Sequence, residues 1–277
     1  MTNRDVIVVI GAGGIGQAIA RRQGPGKRVL LADFADDTLR SAADALTAAG
    51  HTVVTQHVDV SSHPSVAALA DAAEALGPVH QVVHTAGLSP AMAPVAAILA
   101  VDLVGTALVL EAFGRVIARG GAGIVVASMA GYRQPPLDDT EADALANAPA
   151  DELLQLPFLA RDAVPGPVRA YELSKRANHL RVQAAAVAWG ARGARVNSLS
   201  PGVILTPLAR TELDSDRGPA FQTLIQGSPA GRVGTVDEVA AAAAFLLGPE
   251  AAFITGSDLL MDGGVTAARR SPARPAS

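Results

Sequence analysis

Tyr171 and Lys175 stand four residues apart. In a helix that spacing puts both on one face, roughly 5–6 Å apart at their bases. A phenol of unperturbed pKa near 10 is too weak a base at neutral pH. A neighbouring ammonium favours its ionised form by about a few kcal/mol at an effective dielectric of about 20. The pair therefore reads as a proton-transfer device. Alone it is a weak sign, because tyrosine and lysine also share helix faces for packing and solvation. A second cluster, Gly11-Ala12-Gly13-Gly14-Ile15-Gly16, follows an apolar run and opens a helical stretch. Gly11, Gly13 and Gly16 match G-x-G-x-x-G, in which the missing side chains let backbone approach a pyrophosphate and a helix N-terminus turns N–H groups toward it. A tight strand-helix turn without a ligand is the alternative, and the strand-turn-helix setting favours the nucleotide. Asp33 closes the next apolar run, about 20 positions on, where a carboxylate accepts from both adenosine ribose hydroxyls and repels a 2′-phosphate. NAD is thus preferred over NADP. Asp33 as a turn residue starting the next helix is the other reading, for which Asp36 and Asp37 are better placed. Arg21 and Arg22 read as a solvated helix face rather than a 2′-phosphate site.

These groups need a scaffold, and the chain supplies a regular one. Short runs rich in Val, Ile and Leu alternate with longer alanine-rich stretches of helical spacing, the pattern of parallel strands joined by crossover helices. Strands are predicted near Val6–Ile10, Arg28–Ala32, Thr52–His57, Gln81–His84, Gly123–Ala127, Arg195–Leu199 and Asp258–Met261. Helices are predicted over about Gly14–Arg22, Asp37–Ala49, Ser65–Ala75, Ala93–Arg119, Glu172–Trp189 and Val236–Leu247, the last with Thr235 before it and Asp237 and Glu238 in its first turn. The fold class is α/β: a single Rossmann-type domain over 1–266, a doubly wound parallel sheet of about seven strands with helices on both faces. The proline-bearing stretch 132–170 breaks the rhythm, and its place beside Tyr171 suggests a substrate lid rather than a surface decoration. Residues 206–230 read as a flexible flap over the substrate, and 267–277 as a frayed tail.

Composition narrows the partners. The 277 residues are 49% hydrophobic and 17% charged, which fits a well-buried globular chain. A formal net charge of -4 offers no basic field for nucleic acid or an anionic membrane. No apolar stretch reads as long enough to cross a bilayer, and Val6–Ile10 reads as a strand rather than a signal peptide, so a cytoplasmic protein is expected. The chain has no cysteine, which removes disulfides and thiolate chemistry. His80 and His84 lack further ligands at metal spacing and read as core or edge residues, and Asp214-Ser215-Asp216 lacks the glycine and closing glutamate of a calcium loop. No metal is expected.

Around these groups lie further motifs in a fixed order. They are Asp59-Val60, Thr85-Ala86-Gly87, Ser128-Met129-Ala130-Gly131, Tyr171-x-x-x-Lys175, Arg195–Gly202, Thr206-Pro207, Gly231–Gly234, Thr255-Gly256 and Met261–Gly264. Over about residues 5–266 the chain resembles the short-chain dehydrogenase/reductase family in its common short form. The resemblance implies that Ser128 bonds the substrate oxygen, that Tyr171 exchanges the proton, and that Lys175 holds the nicotinamide ribose and acidifies the phenol. It further implies adenine contacts at Asp59 and Val60, a ribose side lined by Thr85, Ala86 and Gly87, and a nicotinamide-contacting loop at Pro201, Gly202, Val203, Ile204 and Thr206. Gly14 and Ile15 belong to the phosphate turn. An even-numbered homo-oligomer, dimer or tetramer, is also implied. Three positions depart from the family pattern. The first turn is one residue shorter than usual. Asp102 stands where Asn is common, and its carboxylate, if near Lys175, offsets part of the lysine field. The Ser128-to-Tyr171 stretch is longer than usual, as an insertion would make it. The activity expected is hydride transfer between NAD and a secondary alcohol or ketone of moderately apolar character, with a non-catalytic, redox-sensing NAD-binding protein as the alternative.

Overall fold

The computed structural model describes residues 5–160, 163–214 and 218–270. Seven parallel strands form one sheet: β1 (Val6–Ile10), β2 (Arg28–Asp33), β3 (Thr52–His57), β4 (Val79–His84), β5 (Ile117–Val126), β6 (Arg195–Pro201) and β7 (Asp258–Met261). Their order is β3-β2-β1-β4-β5-β6-β7. All five residues of β1 are buried, as a central strand covered on both faces requires. The winding reverses between β1 and β4, which opens a crevice at the carboxyl ends of the strands.

In chain order the helices are α1 (Gly14–Gln23), α2 (Asp36–Ala48), α3 (His63–Leu76), α4 (Val95–Ile98), α5 (Thr106–Val116) and α6 (Asp139–Asn147). They continue as α7 (Pro167–Ala191), α8 (Pro207–Leu213), α9 (Gly218–Gln226), α10 (Val236–Leu247) and α11 (Val265–Arg270). One core lies between the sheet and α1, α2 and α10, built on Ile7, Val9, Ile19, Leu39 and Leu246. The larger core lies on the opposite face beneath α3, α5 and α7, with Val8, Leu69, Phe113 and Trp189. Trp189 closes it: its Nε1 donates to the Leu110 carbonyl at 3.1 Å, and its ring occupies the space left by the absent side chain of Gly123.

The expected strands are all present, with β2, β4 and β6 extended beyond the predicted limits and β5 beginning earlier, at Ile117, and ending one residue sooner, at Val126. Differences fall where local geometry outweighs periodicity. The long helix expected over 93–119 is α4 and α5 joined by a π-helical segment, Leu99–Gly105. Contrary to the expectation from sequence, the run Val95–Val116 is long and apolar enough to cross a bilayer. Of its most apolar window 67% is buried inside the protein, the behaviour of a core helix. α7 begins at Pro167, a residue suited to the first helical position, after Gly166 at φ 96°, so Tyr171 lies inside the helix rather than ahead of it. Thr235 and Glu238 form the capping box of α10. α2, by contrast, has Ala35 at its N-cap and no side-chain cap, with Asp36 and Asp37 in its first turn.

Within 132–170, α6 is opened by an Asp138–Glu141 capping box and followed by 3₁₀ turns at Ala150–Gln155 and Pro157–Leu159. Leu145, Leu153 and Leu159 are buried in the larger core. Arg181 of α7 ties this stretch down, donating to the carbonyls of Leu145 and Ala148 and pairing with Glu111 at 2.9 Å. The expected tail starts inside α11, and its residues 271–277 lie outside the described residues, as do Ser215 and Asp216.

Candidate active site

The glycine turn follows from steric exclusion. A Cβ on Gly16 would stand 1.9 Å from the Gly11 carbonyl oxygen, and one on Gly11, at φ 103°, would press on Thr85 and Ala86 within 2.5–2.9 Å. Thr85 draws the end of β4 onto this turn, its hydroxyl donating to the Gly11 carbonyl at 2.9 Å. Gly13, in contrast, has nothing within 4 Å of its Cβ direction. It is the N-cap of α1 and gives no side-chain cap, so the first N–H groups of that helix face the crevice uncapped. That is the donor set a dinucleotide pyrophosphate needs, and the residues present fit such a group.

Asp33 ends β2 with both carboxylate oxygens engaged: Oδ2 accepts from the Ala12 N–H at 2.6 Å and Oδ1 from the Ala35 N–H at 2.8 Å. It therefore also performs the turn-forming task expected of Asp36 and Asp37, while fixing its carboxylate beside the glycine turn. Asp59 accepts from both the N–H and the hydroxyl of Ser61 through Oδ1, and Val60 is buried against Gly105.

Twelve of the residues singled out from sequence line one cavity of ≈ 180 Å³: Ile15, Thr85, Gly87, Asp102, Ser128, Tyr171, Lys175, Pro201, Gly202, Val203, Ile204 and Thr206. Gly11, Gly13, Gly14, Gly16, Asp33, Asp59, Val60 and Ala86 lie outside this lining, at or just beyond the carboxyl ends of β1 to β4, Gly14 and Gly16 in the first turn of α1. The 201–206 loop closes toward the glycine turn, where Thr206 Cγ2 lies 3.6 Å from the Cβ position of Gly14. Parallel pairing of Ile204 with Gly234 fixes the loop.

Ser128 leaves β5 in extended conformation and caps a 3₁₀ segment, Met129–Arg133, its Oγ accepting from the Ala130 N–H at 3.1 Å. That bond uses an acceptor lone pair and leaves the hydroxyl proton for a ligand oxygen. Lys175 Nζ sits 5.3 Å from the centroid of the Tyr171 ring and 2.9 Å from Asp102 Oδ1. The other Asp102 oxygen accepts from the Leu88 N–H at 3.0 Å. Both partners are deeply buried, with side chains 6% and 0% exposed. Burial raises the Asp102 pKa above the ordinary carboxylate value, and Lys175 only partly offsets it. Burial also works against the Lys175 charge, but the Asp102 carboxylate, then Tyr171, outweigh it and raise the lysine pKa above its ordinary value. Lys175 is therefore held as the ammonium, and its charge at 2.9 Å favours the Asp102 carboxylate against the burial that opposes it. Gly87 has no room for a Cβ, which would stand 2.6 Å from Asp102 Oδ1.

A hydrogen-bonded chain continues behind this pair. The Asp102 carbonyl accepts from the Thr106 hydroxyl at 2.9 Å, and His84 Nε2 lies 3.2 Å from the same Thr106 Oγ1. Because the one Thr106 proton is committed to the carbonyl, His84 is the donor and is neutral. Burial first, then the Lys175 charge, bring its pKa down to about 3. His80 lies 3.5 Å from Asp5, and no group of three His, Asp or Glu side chains suited to a metal occurs among the described residues.

Leu88, Ser89, Pro90, Val126, Ala127 and Met129 extend the lining, and four side chains that the sequence did not single out complete it: Arg133, Val168, Ala209 and Phe221. Arg133 and Val168 come from the two ends of the 132–170 stretch, and Ala209 and Phe221 from α8 and α9. Also passed over was the anchor of the Ser128 turn. Tyr132 donates to Asp258 Oδ2 at 2.7 Å, Ser198 and Ser200 donate to Asp258 Oδ1, and His179 Nε2 lies 2.9 Å from Ser200 Oγ. Burial, then Asp258, raise the Tyr132 pKa, so the phenol stays protonated. The partners lie on β6, β7 and α7, too far apart in sequence for spacing to reveal.

The likeness to known proteins runs over nearly the whole chain. Residues 5–137 match the family model described as short chain dehydrogenase, and 140–266 the one described as enoyl-(acyl carrier protein) reductase. The chain is 44% identical over 266 residues to the short-chain dehydrogenase/reductase bsc3 of Alternaria brassicicola, covering 96% of this chain and 97% of that one. Galactitol 2-dehydrogenase (L-tagatose-forming) of Cereibacter sphaeroides is 34% identical over 269 residues, with 93% of each chain covered. The crystal structure of levodione reductase matches with a TM-score of 0.77 at 26% identity, over 97% of this chain and 99% of that one. A likeness that runs through both halves of the sheet, and not only through a glycine turn common among nucleotide-binding proteins, places the chain in the short-chain dehydrogenase/reductase family of oxidoreductases.

Proposed function

We propose that the protein interconverts a secondary alcohol and its ketone with NAD, and that Tyr171 moves the proton. The observation that carries this reading is the Tyr171–Lys175 contact, 5.3 Å from ammonium to ring centroid, in one cavity with Ser128. Ser128 donates its hydroxyl proton to the substrate oxygen and orients the carbinol. Tyr171 takes the hydroxyl proton during oxidation and returns it during reduction, at its phenol oxygen. Bound nicotinamide supplies the hydride acceptor or donor. Lys175 holds the nicotinamide ribose and presents positive charge to the phenol. Asp102 shares that charge, so the phenol faces an ion pair rather than a lone cation.

On the cofactor side, Gly11, Gly13, Gly14, Ile15 and Gly16 hold the pyrophosphate. Asp59 and Val60 meet the adenine, Thr85, Ala86 and Gly87 the ribose side, and Pro201 to Ile204 with Thr206 the nicotinamide. Asp33 selects NAD because a 2′-phosphate would meet its carboxylate. The flap 206–230 and the 132–170 stretch close over a moderately apolar substrate, and the working form is a cytoplasmic homodimer or homotetramer. The names galactitol 2-dehydrogenase and levodione reductase support alcohol oxidation and ketone reduction as the chemistry. A panel of secondary alcohols and ketones, assayed by NADH and NADPH absorbance, tests the proposal. Turnover with a marked NAD preference is expected, and an NADP preference would overturn the role of Asp33. Dinucleotide binding without turnover of any substrate would favour the redox-sensing alternative.

A further inference from the structure

The geometry points to a substrate that carries an anionic group, a carboxylate in the simplest case, held by Arg133 at the outer end of the catalytic cavity. This rests on the reading of that cavity as the place where an alcohol or ketone reacts. Arg133 ends the 3₁₀ segment that Ser128 caps, and it lines two adjoining hollows. One is the catalytic cavity. The other, of ≈ 420 Å³, is walled by Ala220, Phe221, Thr223 and Leu224 of α9 and by Arg269 of α11. Arg133 and Phe221 stand on the boundary between them.

The charges around that boundary favour an anion. Glu172 serves two guanidinium groups: Arg133 Nε lies 3.2 Å from Oε1, and Arg169 Nη1 lies 2.7 Å from Oε2. Among the described residues that line the two hollows the acidic one is Asp102, which Lys175 holds, whereas Arg269 adds another cation. Much of the remaining wall is apolar, so a charged hydrogen bond formed there is stronger than one in open water. A guanidinium also presents a planar fork of donors that matches a carboxylate.

Arg133 is held in position before any ligand arrives. Its neighbour Tyr132 is bonded to Asp258, and Gly131 packs so tightly that a Cβ would stand 2.8 Å from the His179 ring and 2.9 Å from the Lys175 backbone. A cation on so fixed a turn loses little freedom on binding. The substrate class is therefore a hydroxy acid or oxo acid with an apolar body, its carbinol carbon beside Tyr171 and its carboxylate at Arg133.

The test measures kcat/KM for secondary hydroxy acids with increasing carbon spacing between carbinol and carboxylate, each beside its own methyl ester, at a pH where the acid is ionised. At the best spacing the acid should exceed the ester by about tenfold or more. Arg133→Gln should lower the value for the acid about tenfold more than for the ester, and Arg133→Lys should recover part of the acid preference. An ester preference at every spacing in the unaltered protein overturns the inference whatever the variants do. A preserved acid preference in Arg133→Gln removes Arg133 as the holder and overturns it too. Absence of turnover for every alcohol and ketone with either dinucleotide overturns the reading of the cavity itself, and this inference with it.

Discussion

The two sides of the crevice are built by different means. Around β1, β2 and β4 the backbone does the holding: glycine carbonyls and N–H groups are packed to contact, with Thr85 and Asp33 stapling neighbouring turns onto them. Around β5, β6 and α7 the holding is done by buried side chains and charges, the Lys175–Asp102 pair in front and the Tyr132–Asp258–Ser200–His179 network behind. A ligand met by backbone places the same demand on any chain that binds it, because only the absence of a side chain permits the approach. A ligand met by side chains is met by whatever residues distant segments bring to the wall, and the solution is particular to the protein.

The sharpest way to break this contrast is at the reacting group. Tyr171→Phe removes one oxygen from the side-chain half and leaves the backbone half untouched. Turnover should fall about 10³-fold, while dinucleotide affinity, read by calorimetric titration, stays within a factor of a few. A variant that keeps most of its activity would sink Tyr171 as the proton-transfer group. Next in size is a pair of glycines in the backbone half. Gly16→Ala forces a Cβ to within 1.9 Å of a carbonyl oxygen and should destabilise the fold by about 3 kcal/mol or more in urea unfolding. Gly13→Ala meets nothing within 4 Å and should leave stability almost unchanged, yet weaken dinucleotide binding because its methyl occupies the space a pyrophosphate needs. Equal stability losses in the two variants would erase the distinction between a glycine kept for packing and one kept for a ligand.

The same contrast governs what could be read from the residues alone. The strands, the glycine turn and the Tyr171–Lys175 face are local patterns, and each recurs in the structure where the spacing places it. Asp33 was legible as a residue at the end of β2 but not in its double bond to Ala12 and Ala35, which depends on how two turns approach. The π-helical turn at Leu99–Gly105 was hidden because apolar spacing across it stays close to that of an ordinary helix, and it is this turn that carries Asp102 to Lys175. Arg133, Val168, Ala209 and Phe221 fall within the stretches read as lid and flap, but were not legible one by one because each takes its meaning from a cavity assembled by segments far apart in the chain.

Asp102→Asn sharpens the comparison inside the side-chain half, with an effect smaller than either of those. Asparagine fills nearly the same volume but returns the whole lysine charge to the phenol. The pH profile of kcat/KM for oxidation should then change, because Lys175 has lost the carboxylate beside it. Burial is no longer opposed by a carboxylate at Lys175, so its ammonium should also lose its proton more readily, and activity at alkaline pH should fall. An unchanged profile would mean that the carboxylate contributes packing alone.

The smallest effect is expected at the boundary of the two halves, where β4 ends in His84. Its Nε2 donates to Thr106, whose own proton goes to the Asp102 carbonyl, and the ring is neutral with a pKa of about 3. In the unfolded chain the same imidazole titrates near 6.5. Above that value both states are neutral and His84 has no influence on stability. Between the two values the unfolded chain takes up a proton that the folded one refuses, so falling pH favours unfolding by about 1.4 kcal/mol per unit, or about 2 kcal/mol by pH ~5. His84→Gln keeps an N–H donor for Thr106 but cannot titrate. Urea unfolding of both proteins across this range should show the unaltered chain losing about 2 kcal/mol more than the variant. His179, also lowered by burial first, contributes with the same sign to both proteins and cancels in the difference. Parallel losses would mean that His84 accepts its proton within the fold, and that the chain from β4 to Lys175 is looser than its hydrogen bonds imply.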